Sequence, residues 1–185
     1  MKKLRFIDLF AGAGGLSEGF VRAGFTPVAH VEMNKDACDT LRTRTAFHWL
    51  KEEGRISEYY EYLKGTITRD ELWAKTPENL IKSVINTEIS EETLPKIFQQ
   101  IDAELGTKKV DLVIGGPPCQ AYSVAGRVRK DMTNDPRNHL YKHYVEFLKK
   151  YQPKMFVFEN VPGILSANNG NYLQSTFDAV REAGY

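Results

Sequence analysis

A cysteine follows two prolines in the run Gly115-Gly116-Pro117-Pro118-Cys119-Gln120-Ala121-Tyr122-Ser123. Each proline fixes φ near about −65°, so the thiol sits on a stiffened backbone. An unperturbed thiol has a pKa of about 8.5 and needs nearby cations or N–H donors to become a nucleophilic thiolate. Arg127, Arg129 and Lys130 follow in the same polar stretch. A lone cysteine is more often a small buried hydrophobe. That reading suits Cys38, on an expected helix, whereas the Pro-Pro-Cys-Gln setting favours a nucleophile at Cys119. A second chemical group is Glu159-Asn160, which ends the apolar run Met155-Phe156-Val157-Phe158. A carboxylate so placed is costly unless used or paired. Burial can also raise its pKa, as suits an acid, and a structural salt bridge is the competing reading.

A third group is the turn Phe10-Ala11-Gly12-Ala13-Gly14-Gly15, between an apolar run and a helical pattern. Missing side chains let a ligand approach the backbone, and a helix start offers free N–H groups. The spacing is Gly-x-Gly-Gly, not the Gly-x-Gly-x-x-Gly of dinucleotide folds, which argues against NAD. Alone, this is as well read as a plain tight turn. Glu32 closes the next apolar run, where an acidic side chain can accept from the hydroxyls of a ribose. Together the two suggest an adenosine-containing cofactor.

The elements that must hold these groups alternate. Leu4 to Phe10 reads as a buried strand, and Leu16, Phe20 and Ala23 recur at helical spacing up to Gly24. Pro27 to Val31 reads as a second strand, and Asn34 as the cap of a helix holding Ala37, Cys38 and Leu41. Val110 to Ile114 and Met155 to Phe158 read as strands, Asp135-Pro136 as the start of a helix with Leu140, Tyr144, Phe147 and Leu148 on one side, and Asn171 to Ala183 as a last helix. Strands alternating with helices imply a parallel sheet. In such a sheet the C-terminal strand ends share one edge, so the glycine turn, Cys119 and Glu159 are expected at one crevice.

Residues 44–108 are rich in Glu, Lys and Tyr and form a helix-rich extended segment. Thr68-Arg69-Asp70-Glu71 fits a capping box. Thr76-Pro77 fits a cap with proline at the first helical position. Ser83 to Asn86 fits a third strand, and Ser90 fits the cap of a helix running through Ile97 and Ile101 towards Gly106.

Composition is that of a globular domain: 185 residues, 42% hydrophobic, 26% charged, net charge +1. A nucleic-acid partner therefore needs a local basic patch. Two cysteines are too few for a disulfide framework and suit a reducing cytoplasm, the expected location. No run reaches the roughly 18–20 apolar residues of a membrane span. The basic start at Lys2 and Lys3 is broken by Asp8 and the glycine turn, so it reads as a strand and not a signal peptide. His30, His48, His139 and His143 do not sit at ligand spacing with the cysteines, and His139 and His143, at i, i+4, have no partner carboxylate motif, so no metal is expected.

Phe6-Ile-Asp-Leu-Phe-Ala-Gly-Ala-Gly-Gly-Leu16, Gly115-Gly-Pro-Pro-Cys-Gln-Ala-Tyr-Ser123 and Phe158-Glu-Asn-Val-Pro-Gly163, in this order, resemble three signature motifs of cytosine-C5 DNA methyltransferases. The resemblance covers 4–43 and 109–185. It implies an α/β, Rossmann-like methyltransferase fold, mostly parallel sheet flanked by helices, with S-adenosylmethionine as cofactor. By position, Phe10 would stack on the adenine and Gly12, Gly14 and Gly15 would admit the methionine end. Glu32 would bind the ribose, with Met33 near the adenine and Pro118 beside the cofactor. Glu88, in Asn86-Thr87-Glu88-Ile89, stands where the family usually has an aspartate and carries over weakly.

The implied chemistry is covalent. The Cys119 thiolate would add to C6 of a cytosine flipped from double-stranded DNA, Glu159 would hold N3, and Asn160 would hold the loop or the base. Gln120, Ser123, Arg127 and Arg129 lie in a stretch that resembles the family's closing loop and would face DNA. The family continues with further motifs and a target-recognition domain, which these residues lack. Residues 1–185 are thus expected to be the N-terminal part of the catalytic domain, a truncated product or one subunit of a split restriction-modification enzyme. An RNA-cytosine relative and a non-catalytic cofactor-binding fragment remain alternatives.

Overall fold

The structure, a computed structural model, describes residues 3–118, 140–165 and 170–185. Its centre is a parallel sheet of β1 (Arg5–Leu9), β2 (Thr26–Glu32), β3 (Val84–Asn86), β4 (Leu112–Gly115) and β5 (Met155–Phe158), in the order β3-β2-β1-β4-β5. Leaving β1 in both directions makes the β1/β4 boundary the point where strand order reverses, the usual ligand crevice of such sheets.

Successive side chains of a strand point to opposite faces. Phe6, Leu112 and Ile114 pack with Leu16, Phe20 and Val21 of α1 (Gly15–Arg22), while α2 (Lys35–Glu52) sends Cys38 and Leu41 against Val84. On the other face, Ile7, Leu9, Val31 and Val113 meet α6 (Leu94–Leu105), α7 (Leu140–Tyr151) and α8 (Asn171–Glu182). Both faces are thus covered, as continuous apolar strands require. One polar pair sits in this interior: Asp8 and His30, register partners on β1 and β2, meet at 3.2 Å and are 1% and 4% exposed.

Residues 44–108 hold the second half of α2, three short helices, β3 and α6. The short helices are α3 (Ile56–Leu63), α4 (Arg69–Ala74) and α5 (Glu78–Lys82). They enclose a satellite core of Ala46, Leu50 and Leu72. Asp39, on α2, is locked to α4 by Arg69 at 3.1 Å. The Thr68–Glu71 capping box is formed, and Asn34 accepts from Ala37 N at 3.0 Å.

Two expected helix starts differ. Thr76 does not cap α5: its N–H bonds back to Trp73 O at 2.9 Å, so it belongs to the exit of α4. Pro77 is itself the cap residue, and its carbonyl accepts from Leu80 N at 3.0 Å. Ser90 caps the turn before α6, where its hydroxyl accepts from Thr93 N at 3.3 Å and Thr93 becomes the cap residue. β4 begins at Leu112, two residues beyond the expected start; Val110 is buried and Asp111 N already donates to Arg5 O at 2.9 Å just ahead of it. The expected helix start at Asp135-Pro136 lies outside the described residues; α7 is described from Leu140.

Candidate functional site

The C-terminal strand ends converge as the alternation requires. β1 runs into Phe10, whose φ of +56° is left-handed. That conformation is rare for a bulky side chain and is held only where the surroundings fix it. The next residues supply the fixing. Ala11 N donates to Val31 O at 3.2 Å, and Gly12 N donates to Glu32 Oε2 at 2.8 Å. Gly14 then caps α1 at φ +83°, and a Cβ there would stand 2.7 Å from Leu41 Cδ2, so α2 packs where a side chain would be.

Glu32 joins two segments. Its second oxygen, Oε1, accepts from Asn34 N at 2.7 Å, so one carboxylate ties the glycine turn to the start of α2. A carboxylate has about four lone-pair sites, and these two bonds leave about half of them for a ligand. The backbone oxygen of Glu32 accepts from Thr87 N at 3.0 Å, Asn86 Nδ2 at 3.1 Å and Cys38 Sγ at 3.3 Å. Burial pushes the Cys38 thiol up from its ordinary pKa, so this cysteine is an inert packing residue, as expected.

A cavity of about 300 Å³ opens at this edge, lined by Phe10, Val31, Glu32, Met33, Thr87, Glu88, Ile89, Gly116, Pro118 and Leu140. That volume is within the range of small-molecule sites, roughly 300–1,000 Å³. Five residues expected at a cofactor line it: Phe10, Glu32, Met33, Glu88 and Pro118. Gly12, Gly14 and Gly15 do not; they shape the turn behind it. Thr87, Ile89 and Leu140 were not foreseen. Ile89, an apolar residue just past the third strand, carried a usable signal; Leu140 read only as helix core. Thr93 braces the far wall, with Oγ1 accepting from Ser90 N at 3.0 Å and donating to Glu88 O at 2.5 Å. Among the described lining residues the only charged side chains are Glu32 and Glu88.

The β4 and β5 exits lie side by side. Glu159 N donates to Gly115 O at 2.9 Å, continuing the ladder. A Cβ on Gly116 would come within 2.6 Å of Glu159 Oε2, so the glycine makes room for this carboxylate. Asn160 Nδ2 donates to Pro117 O at 3.2 Å, and its Oδ1 accepts from Val161 N at 2.9 Å. Glu159 is exposed, which corrects the expectation of a carboxylate forced into an apolar site. β5 is the outer strand of the described sheet; Met155 is 54% exposed and the next three residues are only half-buried. Beneath these exits, the Tyr144 hydroxyl lies 3.1 Å from both Val113 O and Val157 O, clamping β4 to β5. Cys119, Gln120, Ser123, Arg127 and Arg129 lie outside the described residues.

Among the described residues, no group of three His, Cys, Asp or Glu is placed to hold a metal ion, and no helix is long and apolar enough to cross a membrane.

Comparison with known proteins adds the family. The chain is 39% identical over 201 residues to the type II methyltransferase M.Bpa9945I of Bacillus paralicheniformis, covering 97% of this chain and 45% of that protein. It is 34% identical over 182 residues to the type II methyltransferase M1.HphI of Haemophilus parahaemolyticus, covering 98% and 39%. It thus spans less than half the length of these curated relatives. A solved DNA modification methyltransferase encoded within an E. coli prophage superposes with a TM-score of 0.58 at 26% identity, over 97% of this chain and 38% of that one. The Entamoeba histolytica methyltransferase EhMeth, at 16% identity and a TM-score of 0.55 over 98% and 44%, shares the fold. The model of the C-5 cytosine-specific DNA methylase family matches residues 4–67 and 67–185, nearly the whole chain, and the chain therefore belongs to that family.

Proposed function

We propose that the chain forms the cofactor-binding and nucleophile-bearing part of an enzyme that methylates C5 of cytosine in double-stranded DNA, in a restriction-modification setting, with S-adenosylmethionine as methyl donor. One observation carries the reading: Pro118, the residue before Cys119, lines the same cavity as Phe10 and Glu32. The nucleophile's segment therefore starts at the wall of the cofactor site.

The cavity's residues fit this cofactor. Phe10, Val31 and Ile89 offer apolar walls to a flat adenine, and the free lone pairs of Glu32 suit a vicinal diol. Glu32 and Glu88 give the site a negative field that suits a sulfonium. When bound, S-adenosylmethionine supplies an electrophilic methyl group.

The chain's own residues do the rest. Cytosine C5 is a weak nucleophile. Adding the Cys119 thiolate to C6 moves the ring electrons towards C5 and N3, which is covalent activation. Glu159, standing over Gly116, donates its carboxyl proton to N3, and the charge that develops on the ring ends on the Glu159 carboxylate. After C5 gains the methyl group, a base takes its proton and the electrons of that C–H bond expel Cys119. Asn160 holds the Pro117 carbonyl and so the backbone that leads to Cys119. A stacked base cannot reach such a site, so the cytosine must be flipped out. Gln120, Ser123, Arg127 and Arg129 would contact the DNA backbone around it.

The remaining family length, as further chain or as a second subunit, would supply target recognition. The outer edge of β5 pairs with no strand among the described residues and offers a place to continue the sheet. The test combines this chain with that remaining part on DNA containing 5-fluorocytosine. A covalent complex that forms with Cys119 and is lost in Cys119→Ser is expected. A complex that persists in the variant would sink the assignment.

A further inference from the structure

We infer that Asn86 is a positioning residue for the cofactor site: its side-chain amide sets the turn that aims Glu32 and Met33 into the cavity. Asn86 ends β3 opposite Glu32 in the parallel register. Its Nδ2 donates to Glu32 O at 3.1 Å and to Met33 O at 2.9 Å. Both partners are acceptors, so only the nitrogen end of the amide can face them. One side chain thus spans two successive carbonyls just where β2 leaves the sheet.

Asn86 adds a restraint on the Met33 carbonyl, whereas the turn's other bonds fall on Glu32 and on the Asn34 N–H. Gly12 N and Asn34 N hold the Glu32 carboxylate, and Thr87 N and Cys38 Sγ hold its carbonyl. Met33 is 65% exposed and has Asn86 on its carbonyl. Without that contact the peptide between Met33 and Asn34 is held through its N–H alone, by the bond from Asn34 N to Glu32 Oε1 at 2.7 Å. That peptide carries the Asn34 N–H on which Glu32 Oε1 rests, so its rotation would move the carboxylate as well. Asn86 itself does not line the cavity, so its effect is transmitted through the turn.

The inference rests on the assignment of the cavity to S-adenosylmethionine, and the experiment separates the two. S-adenosylhomocysteine and adenosine are titrated calorimetrically into the wild-type chain and into Asn86→Asp, Asn86→Ala and Asn86→Gln, well below their melting temperatures. Hydrogen exchange at the Met33 to Lys35 amides is measured without ligand. Asn86→Asp, which turns a carboxylate oxygen towards two carbonyls, should weaken both ligands about tenfold and speed exchange at the turn. Asn86→Ala should weaken them about threefold, and Asn86→Gln, which keeps the donor, should recover part of the loss. If Asn86→Asp does not fold, Asn86→Ala carries the measurement. Wild-type binding that all variants match within twofold, with melting temperature alone lowered, overturns the positioning role. A folded wild type that binds neither ligand overturns the cavity assignment and this role with it.

Discussion

Asn160 Nδ2 stands 3.2 Å from the carbonyl oxygen of Pro117, so the residue after the β5 carboxylate holds the segment that leads to Cys119. The bond crosses between two exits that are far apart in sequence. It also explains why an amide is useful there: Nδ2 donates to one loop while Oδ1 accepts from Val161 N and closes its own turn at 2.9 Å. Asn160→Ala removes both bonds, each worth about 1 kcal/mol. In the enzyme assembled with its remaining part, methyl transfer should fall about tenfold or more, while affinity for S-adenosylhomocysteine stays within about twofold. Single-turnover kinetics beside equilibrium binding make this check. An equal fall in both would mean that Asn160 shapes the cofactor cavity and not the Cys119 segment.

Phe10 carries a second prediction. Its left-handed backbone is fixed by the Ala11–Val31 and Gly12–Glu32 bonds, so the backbone at the cavity keeps its course when the side chain is changed. Phe10→Leu keeps an apolar side chain but loses the aromatic face, whose contact with another ring is worth about 0.5–1.5 kcal/mol. Affinity for S-adenosylhomocysteine should drop about three- to tenfold, with little change in melting temperature. Phe10→Asn, a residue that tolerates left-handed φ, should bind as weakly while folding normally. Calorimetry with thermal melts on the same samples separates the two effects.

The parallel sheet, the convergence of its C-terminal strand ends and the two glycine turns were legible because each rests on local rules. Apolar runs of strand length end in Gly-Ala-Gly-Gly, Gly-Gly-Pro-Pro or Glu-Asn, and parallel strands bring such ends together. Glu32 was singled out because it closes the second strand. Its bonds to Gly12 and Asn34 were not, since they depend on the turn geometry and not on residue type. Asn86 and Thr93 escaped notice because their work is done on backbone carbonyls, which leave no pattern in sequence. The exposure of Glu159 could not be read from Met-Phe-Val-Phe, because an apolar strand looks alike at the centre of a sheet and at its edge.

Tyr144 tests the platform under the site. Its hydroxyl is buried and shared between Val113 O and Val157 O, and burial, with Asp8 nearby, drives its pKa far above the ordinary tyrosine value. The group is therefore a neutral donor throughout the accessible pH range. Tyr144→Phe leaves the ring packing intact and should cost about 1–2 kcal/mol. For a chain of this length that is a fall of roughly 2–8 °C in melting temperature. Denaturant unfolding should show a lower midpoint with an unchanged slope; a changed slope would point to altered compactness and not to a lost clamp.

Glu18 supplies a pH signature away from the cavity. It sits on α1 and receives Arg22 of the same helix at 2.7 Å, and Arg44 and His48 of α2, both at 2.9 Å, pin α1 to α2 behind the glycine turn. Burial works to raise its pKa, but the bonds from His48, Arg22 and Arg44 outweigh it and hold the carboxyl down at about 2. A carboxyl with a depressed folded-state pKa binds protons more readily when unfolded, so its stabilisation is complete above about pH 4.5 and is lost as pH falls towards 2. Arg22 and Arg44 are partly exposed, so solvent screening limits the network to roughly 1 kcal/mol. Glu18→Gln should therefore be less stable than wild type by about that amount at pH 6 to 7, and the gap should close between about pH 4.5 and 2. A gap that stays constant across this window would mean that packing, not charge, links the two helices.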